Sequence, residues 1–144
     1  MTSTPVDSPL EWVSEHIKEY VESNGRSGHI WRRGAPTLLL TTVGRRSGLR
    51  RRTALIYGRD GDNYVVVASY GGAPKHPAWY LNILANPEVE VQVGADVFAA
   101  TARTASPEEK SRLWPQMTEI WPDFDEYQKK TDREIPLVIL EPKG

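Results

Sequence analysis

The stretch PTLLLTTVGRRSGLRRRTALIYGRDGDNYVVVAS occupies residues 36–69 and contains the clearest structural pattern in the chain. Runs rich in β-branched and aromatic residues have the composition of strands, and they lie at 37–43, 53–57 and 64–69. The segments between them, GRRSG and DGDN, contain the glycines and short polar residues that tight turns require. Because strands joined by such short turns pair antiparallel, the sequence predicts a three-stranded antiparallel meander.

The remaining segments extend this meander into an α+β, mainly β domain. Ser8-Pro9 and Ser106-Pro107 are each followed by acidic residues, a capping pattern that starts a helix. Apolar periodicity and turn residues predict helices at 10–23, 76–86, 107–121 and 123–130, and further strands at 88–93, 96–104 and 136–140. Five to six strands with few helices favour a small barrel.

At 144 residues and 16.2 kDa, the chain has the length of one domain. We expect residues 1–30 to form the N-terminal helix and its connector, and residues 31–144 to form the barrel. Cysteine is absent and the three histidines stand far apart in sequence, so no metal site is predicted. The sequence lacks an apolar run of about 18 residues and a secretion signal, which predicts a soluble, cytoplasmic protein.

Charge is strongly segregated along the chain although the net charge is only −1. Residues 26–59 contain nine arginines, no lysine and no acidic residue, which predicts an anionic partner for this segment. Arginine favours bidentate contacts to phosphate or carboxylate. The alternative is that some arginines pair with the acidic segments on either side, most readily Arg26, Arg32, Arg33 and Arg59.

The turn at residues 44–52, GRRSGLRRR, combines glycines that expose backbone N–H groups with flanking arginines and a serine hydroxyl. This combination suits a phosphate group. The turn matches neither the P-loop nor the GxGxxG pattern. Nucleic acid is disfavoured as the partner, because the pI is near 6.3 and the rest of the chain is acidic.

Two further groups of residues are candidates for ligand binding. The segment ASYGG at 68–72 ends a strand with two glycines, which allow backbone to approach a flat ligand, and the aromatic pair Trp79-Tyr80 follows it. This pair suits core packing and ligand lining equally. Later in the chain, four aromatic residues either plug the barrel or line an apolar acceptor pocket: Trp114, Trp121, Phe124 and Tyr127. These segments contain no complete hydrolytic triad, so an enzyme here would rely on a cofactor.

The motifs TTVGRRSG at 41–48, ASYGG at 68–72, HPAWYLN at 76–82 and TDREIP at 131–136 together resemble the deazaflavin (F420)-dependent nitroreductase family of actinobacteria. The resemblance covers roughly residues 36–142. It implies a split β-barrel similar to the FMN-binding barrel of pyridoxamine phosphate oxidases. It also implies coenzyme F420, a 5-deazaflavin with a phosphodiester and an oligoglutamate tail, and that polyanionic tail suits the arginine-rich segment.

The resemblance assigns roles to individual residues. Its phosphate and tail site comprises Arg45, Arg46, Ser47 and Arg51, and its second strand lines the cofactor with Arg52, Thr53, Ala54, Leu55 and Ile56. The deazaflavin ring would lie between Val67, Ala68, Ser69 and Tyr70 on one side and Ala78, Trp79, Tyr80, Leu81 and Asn82 on the other. The substrate pocket would contain Trp121, Phe124 and Tyr127.

The implied reaction is hydride transfer from reduced F420 to an electron-poor small molecule, with Ser69 and Tyr127 polarising or protonating the acceptor. Quinones, activated alkenes such as enones and coumarin-like lactones, and nitroaromatics are the candidate acceptors. Family members that activate nitroimidazoles carry tyrosines where this chain has Trp121 and Phe124, and a lysine is familiar at the position of Tyr70. These departures favour quinones and enones as acceptors.

Several alternatives remain open at this stage. FMN could occupy the same barrel, although its single phosphate would leave most of the arginines unused. The protein could instead be a carrier that binds F420 without turnover. The N-terminal helix could cover the core, form part of a lid or touch a membrane peripherally, and the chain could be a monomer or a homodimer.

Overall fold

Six antiparallel strands close into a barrel in the computed structural model, which describes residues 6–7, 11–23, 25–26, 29 and 35–143. The strands are β1 (Val6–Asp7), β2 (Thr37–Val43), β3 (Arg50–Asp60), β4 (Asn63–Val67), β5 (Glu88–Val93), β6 (Asp96–Thr104) and β7 (Leu137–Pro142). The helices are α1 (Glu11–Glu22), α2 (Ala78–Ala85), α3 (Pro107–Ile120) and α4 (Asp123–Lys129), and a 3-10 turn covers Tyr70–Gly72.

Strand β3 closes the barrel because it is long enough to pair with two partners. Its first half pairs with β2, where Leu40 faces Thr53, and its second half pairs with β4, where Tyr57 faces Val66. The barrel then runs in the order β3, β2, β5, β6, β7, β4 and back to β3. The predicted meander and barrel are confirmed. The two-residue strand β1, which runs parallel to β3, is too short to have a sequence signal.

Strand β7 has a continuously apolar sequence because it lies between two apolar clusters. Leu137 and Ile139 pack against a cluster beneath α3 and α4, whereas Val138 and Leu140 face the barrel interior. Successive side chains of a strand point to opposite faces, so a strand between two cores needs apolar residues at every position. The fold therefore has one core inside the barrel and a second between the barrel wall and the last two helices.

Helix α1 covers one side of the barrel through Ile17 and Tyr20, which are fully buried beside Leu39. The Tyr20 hydroxyl donates a hydrogen bond to the carbonyl of Thr37 at 3.0 Å and accepts one from the N–H of Gly94 at 2.6 Å. The predicted helix is confirmed, while its predicted cap at Ser8-Pro9 lies outside the described residues. These contacts support a role as structural cover.

Helix α3 begins with the capping box predicted from its sequence. Ser106 Oγ accepts a hydrogen bond from the Glu109 N–H at 3.2 Å, and Glu109 Oε1 accepts one from the Ser106 N–H at 2.9 Å. Arg103 also makes a bidentate contact with the Glu109 carboxylate, in which Nη1 donates to Oε1 at 2.7 Å and Nη2 donates to Oε2 at 2.9 Å. The Arg103 guanidinium and the Ser106 N–H together lower the pKa of Glu109 to about 2. None of the helices described has the length and apolarity of a membrane span.

Candidate functional site

A cavity of about 840 Å³ opens beside β3, between the turn that follows β2 and helix α4. Its volume is in the range of small-molecule and cofactor sites, roughly 300–1,000 Å³. It is lined by every predicted site residue except Ala68, Tyr80 and Leu81, and additionally by Thr42, Gly44, Gly71 and Pro77. The fold thus brings residues from distant parts of the chain to one place, and their individual roles remain predictions.

One end of the cavity, here called the arginine end, is formed by Arg45, Arg46, Arg51 and Arg52. Strands β2 and β3 are joined by a tight turn in which the Gly48 N–H donates a hydrogen bond to the Gly44 carbonyl at 2.8 Å. Ser47 Oγ accepts a hydrogen bond from the Leu49 N–H at 3.1 Å, so this hydroxyl helps to shape the turn. The Arg45, Arg46 and Arg51 side chains are consequently presented to solvent at the cavity rim.

Asn82 attaches this turn to helix α2. Its side chain is buried, and its Oδ1 accepts hydrogen bonds from the Arg45 backbone N–H at 3.1 Å and from Arg45 Nη1 at 3.4 Å. Its Nδ2 donates to Thr42 Oγ1 at 3.2 Å. Asn82 therefore orients the arginine end in addition to lining the cavity.

The arginine end is strongly positive. No ion pair involves Arg45, Arg46 or Arg51 in the described part of the chain, and the described lining residues include no aspartate or glutamate. Other arginines of the basic segment are engaged away from the cavity: Arg50 pairs with Glu90 at 3.1 Å, and Arg59 lies over the ring of Tyr64 at 4.2 Å. The pairing alternative is thus confirmed for Arg50, while Arg32 and Arg33 lie outside the described residues.

The other end of the cavity, here called the aromatic end, contains Trp121, Phe124 and Tyr127. Trp121 and Phe124 are nearly buried, and Trp121 Nε1 donates a hydrogen bond to the Tyr127 hydroxyl at 3.4 Å. Trp114, the fourth aromatic residue of this segment, is not a lining residue. It packs 6.4 Å from Phe124, measured between ring centroids, and its Nε1 donates to Asp125 Oδ1 at 2.7 Å, so it braces α4 against α3.

Residues 69–73, here called the ring-side turn, contribute Ser69, Tyr70 and Gly71 to the cavity lining and contact α4 at Tyr127. Its backbone is left-handed at three consecutive positions, with φ of 47° at Tyr70, 64° at Gly71 and 81° at Gly72. Arg133 donates hydrogen bonds to three carbonyl oxygens of this region, those of Ala68 at 3.2 Å, Ser69 at 2.6 Å and Ala73 at 2.8 Å. Arg133 is the residue that sequence reasoning missed, although it lies within the quoted motif TDREIP.

His76 completes the surroundings of Arg133. Burial and the nearby Arg133 charge both lower the pKa of His76, so the imidazole is neutral near pH 7. Arg133 Nη1 lies 3.2 Å from His76 Nδ1, and a guanidinium only donates, so Nδ1 accepts and the ring proton is on Nε2. Burial also lowers the pKa of Arg133 itself, while the three carbonyls and the imidazole accept four of its five N–H groups.

Three predicted cofactor-binding residues do not line the cavity. Ala68 is fully buried, its N–H donates to the Pro136 carbonyl at 2.9 Å, and its own carbonyl is taken by Arg133. Tyr80 is in the barrel core with its hydroxyl 2.8 Å from Thr104 Oγ1, and the Leu81 N–H donates to the Pro77 carbonyl at 3.3 Å. Helical geometry explains the positions of Tyr80 and Leu81, because only one face of α2 borders the cavity. The cofactor-binding role of all three residues remains a prediction.

Comparisons with known proteins agree with this architecture. Residues 12–142 match the F420H2-dependent quinone reductase family. An F420H2-dependent quinone reductase of Mycobacterium tuberculosis is 43% identical over 128 residues, which cover 87% of this chain and 86% of that protein.

Solved structures show the same similarity. The F420-H2 dependent reductase FDR-A is 46% identical, with a TM-score of 0.68 over 74% of this chain and 94% of that one. A domain-swapped dimer is 42% identical, with a TM-score of 0.70 over 93% of this chain and 100% of that one. A pyridoxamine 5'-phosphate oxidase-like protein of Listeria innocua shares the fold alone, with 15% identity and a TM-score of 0.54 over 75% of this chain and 84% of that one.

These matches confirm the predicted split barrel and the resemblance to F420-dependent reductases, and they favour F420 over FMN as the cofactor. The family match covers most of the sequence, including every residue that lines the cavity. This chain belongs to the F420H2-dependent quinone reductase family and is an F420-dependent oxidoreductase.

Proposed function

We propose that this protein reduces a quinone, with the acidic tail of F420 bound at the arginine end and the deazaflavin ring at the ring-side turn. The single observation that carries this proposal is the polarity of one continuous cavity. Three rim arginines have no ion-pair partner among the described residues at one end, and three aromatic residues line the other. A long cofactor with an anionic tail and a flat ring matches that division in charge and shape.

The residues present fit F420. Arg45, Arg46 and Arg51 would hold the phosphate and carboxylate groups by charge-assisted hydrogen bonds. Along β3, Ala54, Leu55 and Ile56 line the cavity and would provide apolar contact for the cofactor. FMN, with one phosphate and no acidic tail, would use only part of this basic surface.

When bound, reduced F420 supplies a hydride. A quinone becomes a hydroquinone by gaining one hydride and one proton, so the protein has to orient the acceptor and help the proton reach its oxygen. The Tyr127 hydroxyl accepts a hydrogen bond from Trp121 Nε1, which leaves its own proton available to an acceptor oxygen. Ser69 lines the same cavity and offers a second hydroxyl.

The aromatic end favours flat acceptors. Trp121 and Phe124 are buried aromatic residues that line the cavity, while Tyr127 provides a hydroxyl beside them. A quinone, an enone or a coumarin-like lactone would stack there with a carbonyl oxygen toward a hydroxyl. The family name supports the quinone as the acceptor, and the other acceptor classes are proposals that follow from the shape of the pocket.

A paired titration tests this proposal. The cofactor-free protein is titrated with F420 and with FMN while ligand fluorescence is followed, and a quinone is then added to the complex with reduced F420. We expect tighter binding of F420 and reoxidation that depends on the quinone. Preferential binding of FMN would overturn the cofactor site, and tight F420 binding without quinone-dependent reoxidation would identify a carrier.

The assembly of the protein and its contact with membranes can each be tested directly. The chain is expected to be a monomer or a homodimer, and sedimentation equilibrium would distinguish them. Peripheral contact of α1 with a membrane is less favoured, because Ile17 and Tyr20 face the barrel. Co-sedimentation with lipid vesicles would test that contact, and removal of α1 should abolish any binding observed.

A further inference from the structure

The ring-side turn has a backbone conformation that its sequence alone does not stabilise. Tyr70 has a φ of 47°, a left-handed conformation that a bulky side chain rarely adopts. Such a conformation persists only where the surrounding structure enforces it, and it is often found at functional sites. Tyr70 is half exposed, so its own side-chain packing cannot be the main source of that restraint.

Arg133 provides the restraint. Its Nε donates to the Ala73 carbonyl, and its two terminal nitrogens donate to the Ala68 and Ser69 carbonyls, so one rigid planar group holds both ends of the turn. The distance across the turn is fixed as a result. A lysine ammonium is a single point and could not hold both ends in this way.

The same arrangement connects the turn to helix α4. A Cβ atom at Gly72 would lie 2.6 Å from the Tyr127 carbonyl oxygen, so the turn and the helix are in direct backbone contact. Gln128 of α4 donates from Nε2 to the Arg133 carbonyl at 2.8 Å and accepts the Ile135 N–H at 3.0 Å. Arg133 is therefore fastened to the helix that bears Phe124 and Tyr127 as well as to the turn that bears Ser69.

We propose that Arg133 is a positioning residue that sets the distance between the Ser69 hydroxyl at the ring-side turn and Tyr127 at the aromatic end, and thereby the alignment of acceptor and cofactor. The inference rests on the proposed function for its catalytic consequence. The structural part, that one guanidinium fixes the turn, stands without it. Arg133 itself touches neither ligand in this account, because it is not among the residues that line the cavity.

The first experiment measures amide hydrogen exchange in the cofactor-free protein, comparing the parent with Arg133→Ala and Arg133→Lys. Arg112→Ala is the matched control, because Arg112 also makes a bidentate contact, to Asp60 at 2.9 and 3.0 Å, but on the surface away from the cavity. We expect exchange at residues 69–73 to be faster by about tenfold or more in both Arg133 variants and unchanged in the control. Unchanged exchange in the Arg133 variants would overturn the inference.

The second experiment separates positioning from binding. In Arg133→Ala we expect kcat with a quinone to fall about a hundredfold, since misplacement of reacting groups by about 1 Å has that effect. The dissociation constant for F420 should change by less than about threefold, because the arginine end is intact. If Arg133→Ala does not fold, Arg133→Lys serves instead, with an expected loss in kcat of about tenfold.

Chemical rescue provides a readout that a merely structural role would not give. Guanidinium ion at millimolar concentration, well below denaturing levels, should enter the space left in Arg133→Ala and restore part of the lost kcat and the slow exchange at 69–73. It should leave Arg112→Ala and the parent unchanged. A loss in kcat that guanidinium does not reverse, accompanied by an equal loss of F420 binding, would contradict a positioning role.

Failure of the inference and failure of the proposed function give different results. If the parent does not reduce quinones but the Arg133 variants still accelerate exchange at 69–73, the function is wrong and Arg133 still fixes the turn. If the parent reduces quinones and the Arg133 variants keep both the slow exchange and the full kcat, the inference is wrong and the function stands.

Discussion

The two turns at the cavity, GRRSG before β3 and the ring-side turn after β4, differ in how arginine side chains are used. The first is a short turn closed by backbone hydrogen bonds and attached to α2 by Asn82, and the side chains of Arg45 and Arg46, with Arg51 at the start of β3, are exposed to solvent. The ring-side turn has three left-handed residues and is held from outside by Arg133. At the GRRSG turn the guanidinium groups are available to a ligand. At the ring-side turn the Arg133 guanidinium is hydrogen-bonded to backbone carbonyls of the protein itself.

This difference indicates that the two regions of the site have separate roles, with the arginine end affecting cofactor binding and the ring-side turn affecting turnover. We call this separation the division between binding and turnover. Exposed arginines can adapt to the phosphate and carboxylates of a long tail, for which exact placement matters little. Hydride transfer depends instead on the distances between reacting atoms, and in the proposed function a rigid turn would set these distances. Substitutions at the arginine end should therefore alter binding, and substitutions at the ring-side turn should alter turnover.

The largest effect is expected from Gly72→Ala. The new Cβ would meet the Tyr127 carbonyl oxygen at 2.6 Å in a left-handed conformation, so we expect the free energy of unfolding to fall by about 3 kcal/mol. The matched control is Gly71→Ala, which is also left-handed but meets nothing within 4 Å, with an expected loss of about 1 kcal/mol. Urea denaturation measures both, and equal losses would show that the turn and α4 are not in close contact.

At the arginine end, combined replacement of Arg45 and Arg51 by alanine should raise the dissociation constant for F420 about a hundredfold, and each single replacement about tenfold. The kcat at saturating reduced F420 should stay within about twofold, because the ring-side turn is untouched. Arg59→Ala is the control, since Arg59 lies over Tyr64. Fluorescence titration and steady-state kinetics check this, and a fall in kcat without a change in binding would contradict the division.

A smaller effect is expected from Ser69→Ala. We expect kcat with a quinone to fall about tenfold while F420 binding is unchanged, and the loss is limited because Tyr127 offers a second hydroxyl. Tyr127→Phe should produce a similar loss, and the two replacements together should exceed either one. A turnover number unaffected by Ser69→Ala would show that this hydroxyl does not interact with the acceptor.

The smallest effect on the site is expected from Glu109→Gln, far from either turn. Arg103 and the Ser106 N–H lower the pKa of Glu109 to about 2 in the folded protein, below its ordinary value of 4.5. The resulting stabilisation is complete above the ordinary pKa and is lost as pH falls from about 4.5 to about 2. The stability difference between parent and variant should shrink over that range, with Glu119→Gln as the control on the same helix. A difference independent of pH would contradict this ion pair, and F420 binding should be unaffected.

Local sequence signals predicted much of the fold. The strand at 37–43, the strand at 96–104 and the capping box at Ser106 appear as predicted, because each depends on periodicity or on contacts within a few residues. Strand β3 is longer than predicted, from 50 to 60, because pairing with two partners extends it beyond its apolar run. The arginine end was predictable from charge alone.

The contacts of Arg133 could not be predicted from sequence. Its partners at Ala68, Ser69 and Ala73 are about sixty residues away in sequence. They accept through backbone carbonyls, which every residue type has, so the contacts produce no recognisable sequence pattern. Tyr80 and Leu81 lie away from the cavity for a related reason, since the face of α2 that borders the cavity is set by how the barrel packs beneath it. Local patterns specify elements, and the closed barrel determines which side chains meet.

The most direct test of the division compares two ligands, F420 and a deazaflavin that lacks the phosphate and the glutamate tail. Dissociation constants are measured for the parent and for the protein with both Arg45 and Arg51 replaced by alanine. We expect the parent to bind F420 much more tightly than the truncated ligand, and the double replacement to remove about a hundredfold of this preference while leaving binding of the truncated ligand unaffected. If the replacement weakened binding of both ligands equally, the arginine end would not be the tail site.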